Sequence, residues 1–181
     1  MLIFQRLAIL LIAFVAIGAA VPMKVIPIGD GTEAFLVPAN SPLRFRSYNK
    51  EELVYYFSGH FTISGTYHYG WEADEENPGP WLYIEPDTET IARLPSLKRS
   101  PSPSVIYLRN IPAFTKTVLP LDVRKAIAAK KLMSVQGHIV ITAENYAIQK
   151  ICGGEVYSAD FVSVSGPATR VAAAKLSESS C

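Results

Sequence analysis

From Phe57 to Trp71 the chain alternates with a period of two. Phe57, Gly59, Phe61, Ile63, Gly65, Tyr67, Tyr69 and Trp71 share one side; Ser58, His60, Thr62, Ser64, Thr66, His68 and Gly70 share the other. Successive strand side chains point to opposite faces, so the pattern predicts one strand with an aromatic, apolar face and a polar face. At about 3.3 Å per residue the stretch would reach roughly 50 Å if straight, too long for a small domain. It is therefore expected to bend at Gly59, Gly65 and Gly70, where a missing side chain permits a kink, a bulge or close backbone approach.

Upstream, Val25–Ile28 and Ala34–Val37 flank Gly29-Asp30-Gly31, a turn cluster that predicts a hairpin, and Pro27 and Pro38 assign it to a sheet edge. Leu43–Arg46 reads as another short strand. Asn49 with Glu51 and Glu52 suits the cap of one helical turn, while Tyr55 and Tyr56 suit an early start of the main strand. Residues 21–56 are thus an N-terminal β extension.

Downstream, Trp81–Ile84 is a strand ended by Pro86, and Asp87–Ser104 is a long, polar, mobile connection broken by Pro95, Pro101 and Pro103. Val105–Leu108 reads as a strand buried on both faces, followed by an Ile111-Pro112 loop. Leu119, Val123, Ala126 and Ile127 repeat at helical spacing around Pro120, Asp122 suits the first turn and Lys130-Lys131 the last. Period two returns from Met133 to Ala143. Ala147–Cys152 and Glu155–Phe161 then flank Gly153-Gly154, a two-residue hairpin turn by composition, and Val162–Val164 prolongs the second strand. The Ala/Ser-rich residues 166–181 read as a short helix or a tail.

Three strands, a helix and two more strands resemble the order of an OB-type barrel. The predicted fold is mainly β: a small OB-like closed barrel over 57–165, with five main strands and one helix between strands 3 and 4. A lipocalin-like barrel, one alternative, would want about eight strands and no central helix; an SH3-like barrel is another. Gly137-His138-Ile139-Val140-Ile141-Thr142 echoes Gly59-His60-Phe61-Thr62-Ile63-Ser64, as expected of two glycine-bent strands that pair.

Composition adds an address. Arg6 precedes an apolar run from Leu7 to Ala20, and Gly18 and Ala20 are small residues placed for cleavage before Val21, so residues 1–20 read as a secretory signal peptide. The rival is an uncleaved anchor, which would make a membrane-tethered assembly protein. Loss of residues 1–20 removes Arg6 alone, leaving 16 basic and 16 acidic side chains. Such balance argues against a nucleic-acid binder, which needs a basic face to displace counterions. No Asn-x-Ser/Thr acceptor is present, which favours a bacterial envelope, periplasmic or extracellular. Export also suits a disulfide between Cys152 and Cys181, the alternative being an inert buried Cys152 and a free Cys181.

The candidate chemistry is sparse. No serine nucleophile elbow, phosphate-cradling glycine loop or HExxH occurs. His60 and His68 are too far apart along one strand to share an ion; His60 and His138 would meet if the echoing strands paired in register. These histidines, or Cys152 at its turn, support the alternative of a small envelope hydrolase or metal protein. Asp74-Glu75-Glu76 lacks the spacing of a calcium loop. Tyr67, Tyr69, Trp71, Trp81 and Tyr83 crowd around one acidic loop, as a barrel-mouth platform for stacking a ligand or as plain core. The expected function is binding without catalysis, metal or cofactor, the partner being an envelope protein or a glycan.

Overall fold

The computed structural model describes residues 22–28, 33–72, 79–98, 102–129, 134–166 and 168–174. Residues 1–20, expected to be a signal peptide, the acidic run 73–78 and Cys181 lie outside the described residues.

The chain is mainly β, and its centre is a closed ring of five strands: β5 (Phe61–Glu72), β6 (Gly79–Pro86), β8 (Ile106–Arg109), β9 (Ser134–Ile151) and β10 (Gly154–Val164). β5 pairs antiparallel with β6, and β6 with β8; β8 pairs parallel with β10, and β10 and β5 both pair antiparallel with β9. That connectivity is OB-like. Closure leaves no free edge around the ring, which is how small barrels avoid edge-to-edge association. Ile63, Tyr67, Leu82, Ile84, Ile106, Ile139 and Ile141 point inward and are buried. Each such side chain stabilises the fold by roughly 1.5–3 kcal/mol relative to exposure.

Between the third and fourth ring strands lie two short helices, α2 (Ile111–Val118) and α3 (Leu121–Ala128), where one was expected. Ile111-Pro112 opens α2 instead of forming a loop, because proline is tolerated in a first turn whose N–H groups have no intrahelical partner. Phe114 of α2 is fully buried, its ring 5.4 Å from Tyr67 and 5.3 Å from Phe161.

The expected single strand from Phe57 to Trp71 is divided at Gly59, whose φ of 123° is a conformation that side chains disfavour. β4 (Val54–Ser58) leaves the ring there and runs between β3 (Arg44–Asn49) and the far half of β9. Tyr55 and Tyr56 belong to β4, and Asn49 Oδ1 accepts from the Glu51 and Glu52 amides in a turn, with no helix. β9 can serve two partners because it changes over at Asn145: it pairs with β5 up to Ala143 and with β4 from Ala147. At Gly65 the backbones of β5 and β6 approach so closely that a methyl group would overlap the Glu85 carbonyl.

The N-terminal hairpin of β1 (Met23–Ile28) and β2 (Glu33–Pro38) is present, with β1 at the edge and β2 between β1 and β7 (Ser96–Leu97). β7 and α1 (Thr88–Ile91) occupy the connection expected to be mobile. Thr90 anchors it: its hydroxyl donates to the Ser64 carbonyl (3.1 Å) and accepts from the Ser64 amide (2.9 Å). Three other expectations are corrected. β8 is buried on one face only, since Tyr107 and Arg109 are exposed while Ile106 and Leu108 are not. The hairpin turn is Cys152-Gly153, with Gly154 already in β10. Thr169–Ala174 is a strand, β11, paired with β9, where a helix or tail was expected.

Candidate functional site

The antiparallel register of the ring determines which side chains share its outer surface. Leu82 and Ile84 face inward on β6, so Trp81 and Tyr83 face outward. Tyr83 stands opposite His68 on β5 and opposite Tyr107 on β8; His68 stands opposite Gln136 on β9, and Tyr107 opposite Ser158 on β10. One row of outward residues, Gln136, His68, Tyr83, Tyr107 and Ser158, therefore crosses all five strands. Trp81 lies beside it, two residues along β6. On the other side lie Glu85, Thr66 and His138, themselves register neighbours.

The rings of this row are in contact. The His68 and Tyr83 centroids are 4.8 Å apart at 19°, those of Trp81 and Tyr83 5.4 Å at 20°, and those of Tyr83 and Tyr107 5.9 Å at 61°. Both offset stacking and edge-to-face packing lie within the favourable range. Trp81 and Tyr83 are half-buried, whereas Tyr107 is 46% exposed, so ring surface remains open to solvent. Burial, the Glu85 carboxylate and Tyr107 hold the Tyr83 phenol above its ordinary value, so it stays a hydrogen-bond donor at neutral pH.

His68 Nε2 lies 3.5 Å from Glu85 Oε1, yet it is buried and makes no hydrogen bond among the described residues. Glu85, the register neighbour of Thr66, thus lies at the margin of the rings with its carboxylate largely in solvent. Beyond Glu85, burial acts to raise the Asp87 carboxyl, but hydrogen bonds from Ser64 and Thr90 and the nearby His138 outweigh it and hold the group below its ordinary value. The upper margin is thus anionic, and Glu85 can accept hydrogen bonds from a ligand hydroxyl.

The five aromatic residues expected to form one platform are divided between two faces. Tyr67 is 1% exposed and is core. Tyr69 is half-buried and packs against that core; Trp71 follows it on the same side, opposite Pro80. Only Trp81 and Tyr83 belong to the outer row. The residues that sequence reasoning did not assign to it are Tyr107 and His68. The uniformly apolar run Val105–Leu108 predicts burial on both faces, Tyr107 included, and the alternation places His68 on the polar side of its strand without any signal for ring stacking.

His60 and His138 do not meet. Because β5 and β9 run antiparallel, His138 stands opposite Thr66, while His60 Nε2 lies 3.1 Å from Glu144 Oε2 at an exposed position. Among the described residues no group of three His, Cys, Asp or Glu side chains is placed to hold a metal ion. The Cys152 thiol is free and exposed in the β9–β10 turn, not buried; its expected partner Cys181 lies outside the described residues. No family model, curated protein or solved structure is significantly similar to this chain.

Proposed function

We propose that this chain is an exported, non-catalytic binding module of a bacterial envelope that holds a glycan against the outer face of β6 and β8. The observation that carries the reading is the open aromatic row of Trp81, Tyr83 and Tyr107, bordered by Glu85, Gln136 and Ser158. A sugar ring offers an apolar C–H face that stacks on aromatic rings and equatorial hydroxyls that hydrogen-bond planar polar side chains. In an OB-type barrel the second and third strands are also the surface on which oligosaccharides and oligonucleotides are held, an argument from fold analogy. Balanced net charge and the anionic margin at Glu85 and Asp87 favour the sugar over the polyanion.

The test is a titration of the mature protein, purified from its native compartment, with envelope oligosaccharides, read by calorimetry. Saturable binding that Trp81→Ala abolishes, in a variant with unchanged unfolding, is the expected result. Binding that survives Trp81→Ala sinks the proposed face. The intact mass of the same preparation, with and without thiol alkylation, tests the address. A start near Val21 is expected, with the alkylation count deciding whether Cys152 pairs with Cys181, and retention of residues 1–20 would make the module membrane-tethered.

A further inference from the structure

Beside the aromatic row, two β-bulges converge on one small cleft. On β9, Asn145 and Tyr146 oppose Ala159 alone between the pairs Ala147–Ser158 and Glu144–Asp160, and Asn145 takes a left-handed φ of 51°. On β3, Arg46 is the extra residue between the pairs Phe45–Phe57 and Ser47–Tyr56. A bulge re-aims a side chain that a regular ladder would direct elsewhere. Here both bulged residues, with Tyr56, Phe57, Arg109 and Asp160, line a cleft of about 250 Å³.

The charges in the cleft do not cancel. Arg109 Nε donates to Asp160 Oδ1 at 2.7 Å, and Asn145 Nδ2 donates to Asp160 Oδ2 at 2.9 Å. A further Arg109 N–H donates to the Asn145 carbonyl, so Arg109, Asp160 and Asn145 are fixed as one neutral unit. Arg46 has no ion pair among the described residues. Among the described residues, one guanidinium without an ion pair thus lines a cleft whose other charged groups are paired with each other. Its planar fork matches a carboxylate through two parallel hydrogen bonds. A single net positive charge suits a monoanion better than a dianionic phosphate.

The cleft adjoins the stacking surface through β8. Arg109 follows Tyr107 by two residues on the same outward side, about 7 Å along a strand, the scale of one sugar unit. We infer that the glycan held on β6 and β8 is an acidic one, whose carboxylate enters this cleft and is received by Arg46. The inference rests on the stacking reading above, and the cleft supplies the ligand class that the rings alone leave open.

The experiment titrates the full mature chain with matched pairs of short, otherwise neutral oligosaccharides that carry a single uronic-acid unit, of gluco, galacto or manno configuration, and their neutral methyl esters. For at least one pair the acid binds about tenfold more tightly than the ester at low salt, and the preference shrinks as salt rises. Arg46→Gln removes that preference, bringing the acid's affinity down to that of the ester, with the unfolding transition unchanged. Equal binding of acid and ester, still abolished by Trp81→Ala, overturns the carboxylate assignment and leaves the stacking face standing. An acid preference that survives Arg46→Gln overturns the role of Arg46. Absence of binding by every pair at millimolar concentration overturns both readings.

Discussion

The β5–β6 hairpin has two faces of nearly the same aromatic content and opposite fates. On the inside, Tyr67 packs edge-to-face on Phe114 among Leu82 and Ile84, with 1% of its surface exposed. One residue further along the chain, His68 turns outward and stacks on Tyr83, which stacks in turn on Trp81. Both sets make good ring contacts, yet only the inner set is closed over by helix α2. Residue type therefore does not separate core from platform here. Parity along the strand does, and parity acquires meaning only when the ring closes and decides which side is inside.

The largest effect that can test this contrast is on stability. Tyr67→Ala empties a fully enclosed site in the barrel and should cost about 3–5 kcal/mol, as large aromatic truncations in cores do. Tyr83→Ala removes a ring of similar size from the outer face, where water can fill the space, and should cost under about 1.5 kcal/mol. Urea unfolding of the two variants measures the difference. Equal losses would mean that the outer row is a second core, and the platform reading would fall with it.

Much of this arrangement was legible in the chain and some of it was not, for physical reasons. The barrel order follows from local signals: period two around Phe61–Trp71 and Met133–Ala143, helical spacing from Leu119 to Ile127, and glycines at bends. The break at Gly59 is not local. It depends on β9 being long enough to pair with β4 beyond the ring, which no pattern within Phe57–Trp71 can report. Tyr107 was hidden for a related reason. In Val105-Ile106-Tyr107-Leu108 the run looks uniformly apolar, and only the neighbouring strands reveal that one of its faces is open. The cleft that Arg46 and Asn145 both line brings together residues about a hundred positions apart through two bulges, and bulges leave no periodic trace in a sequence.

A middle-sized effect separates buried phenols from exposed ones. Tyr146 is fully buried and donates to the Pro95 carbonyl at 3.1 Å; burial, then neighbouring Tyr157, holds its phenol well above the ordinary value. Burial and then the Glu155 charge push the Tyr157 phenol up to about 12. A raised folded-state value favours the neutral phenol in the fold. The associated stability is therefore fully present below the unfolded value near 10 and is lost as pH rises through about 12. Absorbance titration at alkaline pH should show Tyr157 ionising near 12, with Tyr146 released only on unfolding. Tyr146→Phe, which orphans the Pro95 carbonyl, should lower stability by about 1–2 kcal/mol. Ionisation of every tyrosine in one step near 10, before unfolding, would contradict the enclosed barrel.

The smallest expected effect on stability tests the outer face most directly. Tyr107 is the most exposed ring of the row, touching Tyr83 at 5.9 Å with nearly half of its own surface in water. Its neighbours Ile106 and Leu108 already supply the inward contacts of β8, so the phenol adds little to the fold. Tyr107→Ala should change unfolding by no more than about 0.5 kcal/mol. Affinity for the proposed glycan, by contrast, should fall about tenfold, because the lost ring is the part of the stacking surface next to the Arg109 corner of the cleft. A structural ring would show the reverse, with stability lost and binding held. A core that tolerates no truncation beside a surface that tolerates it and loses only its ligand is the pattern expected of a barrel built to present that surface.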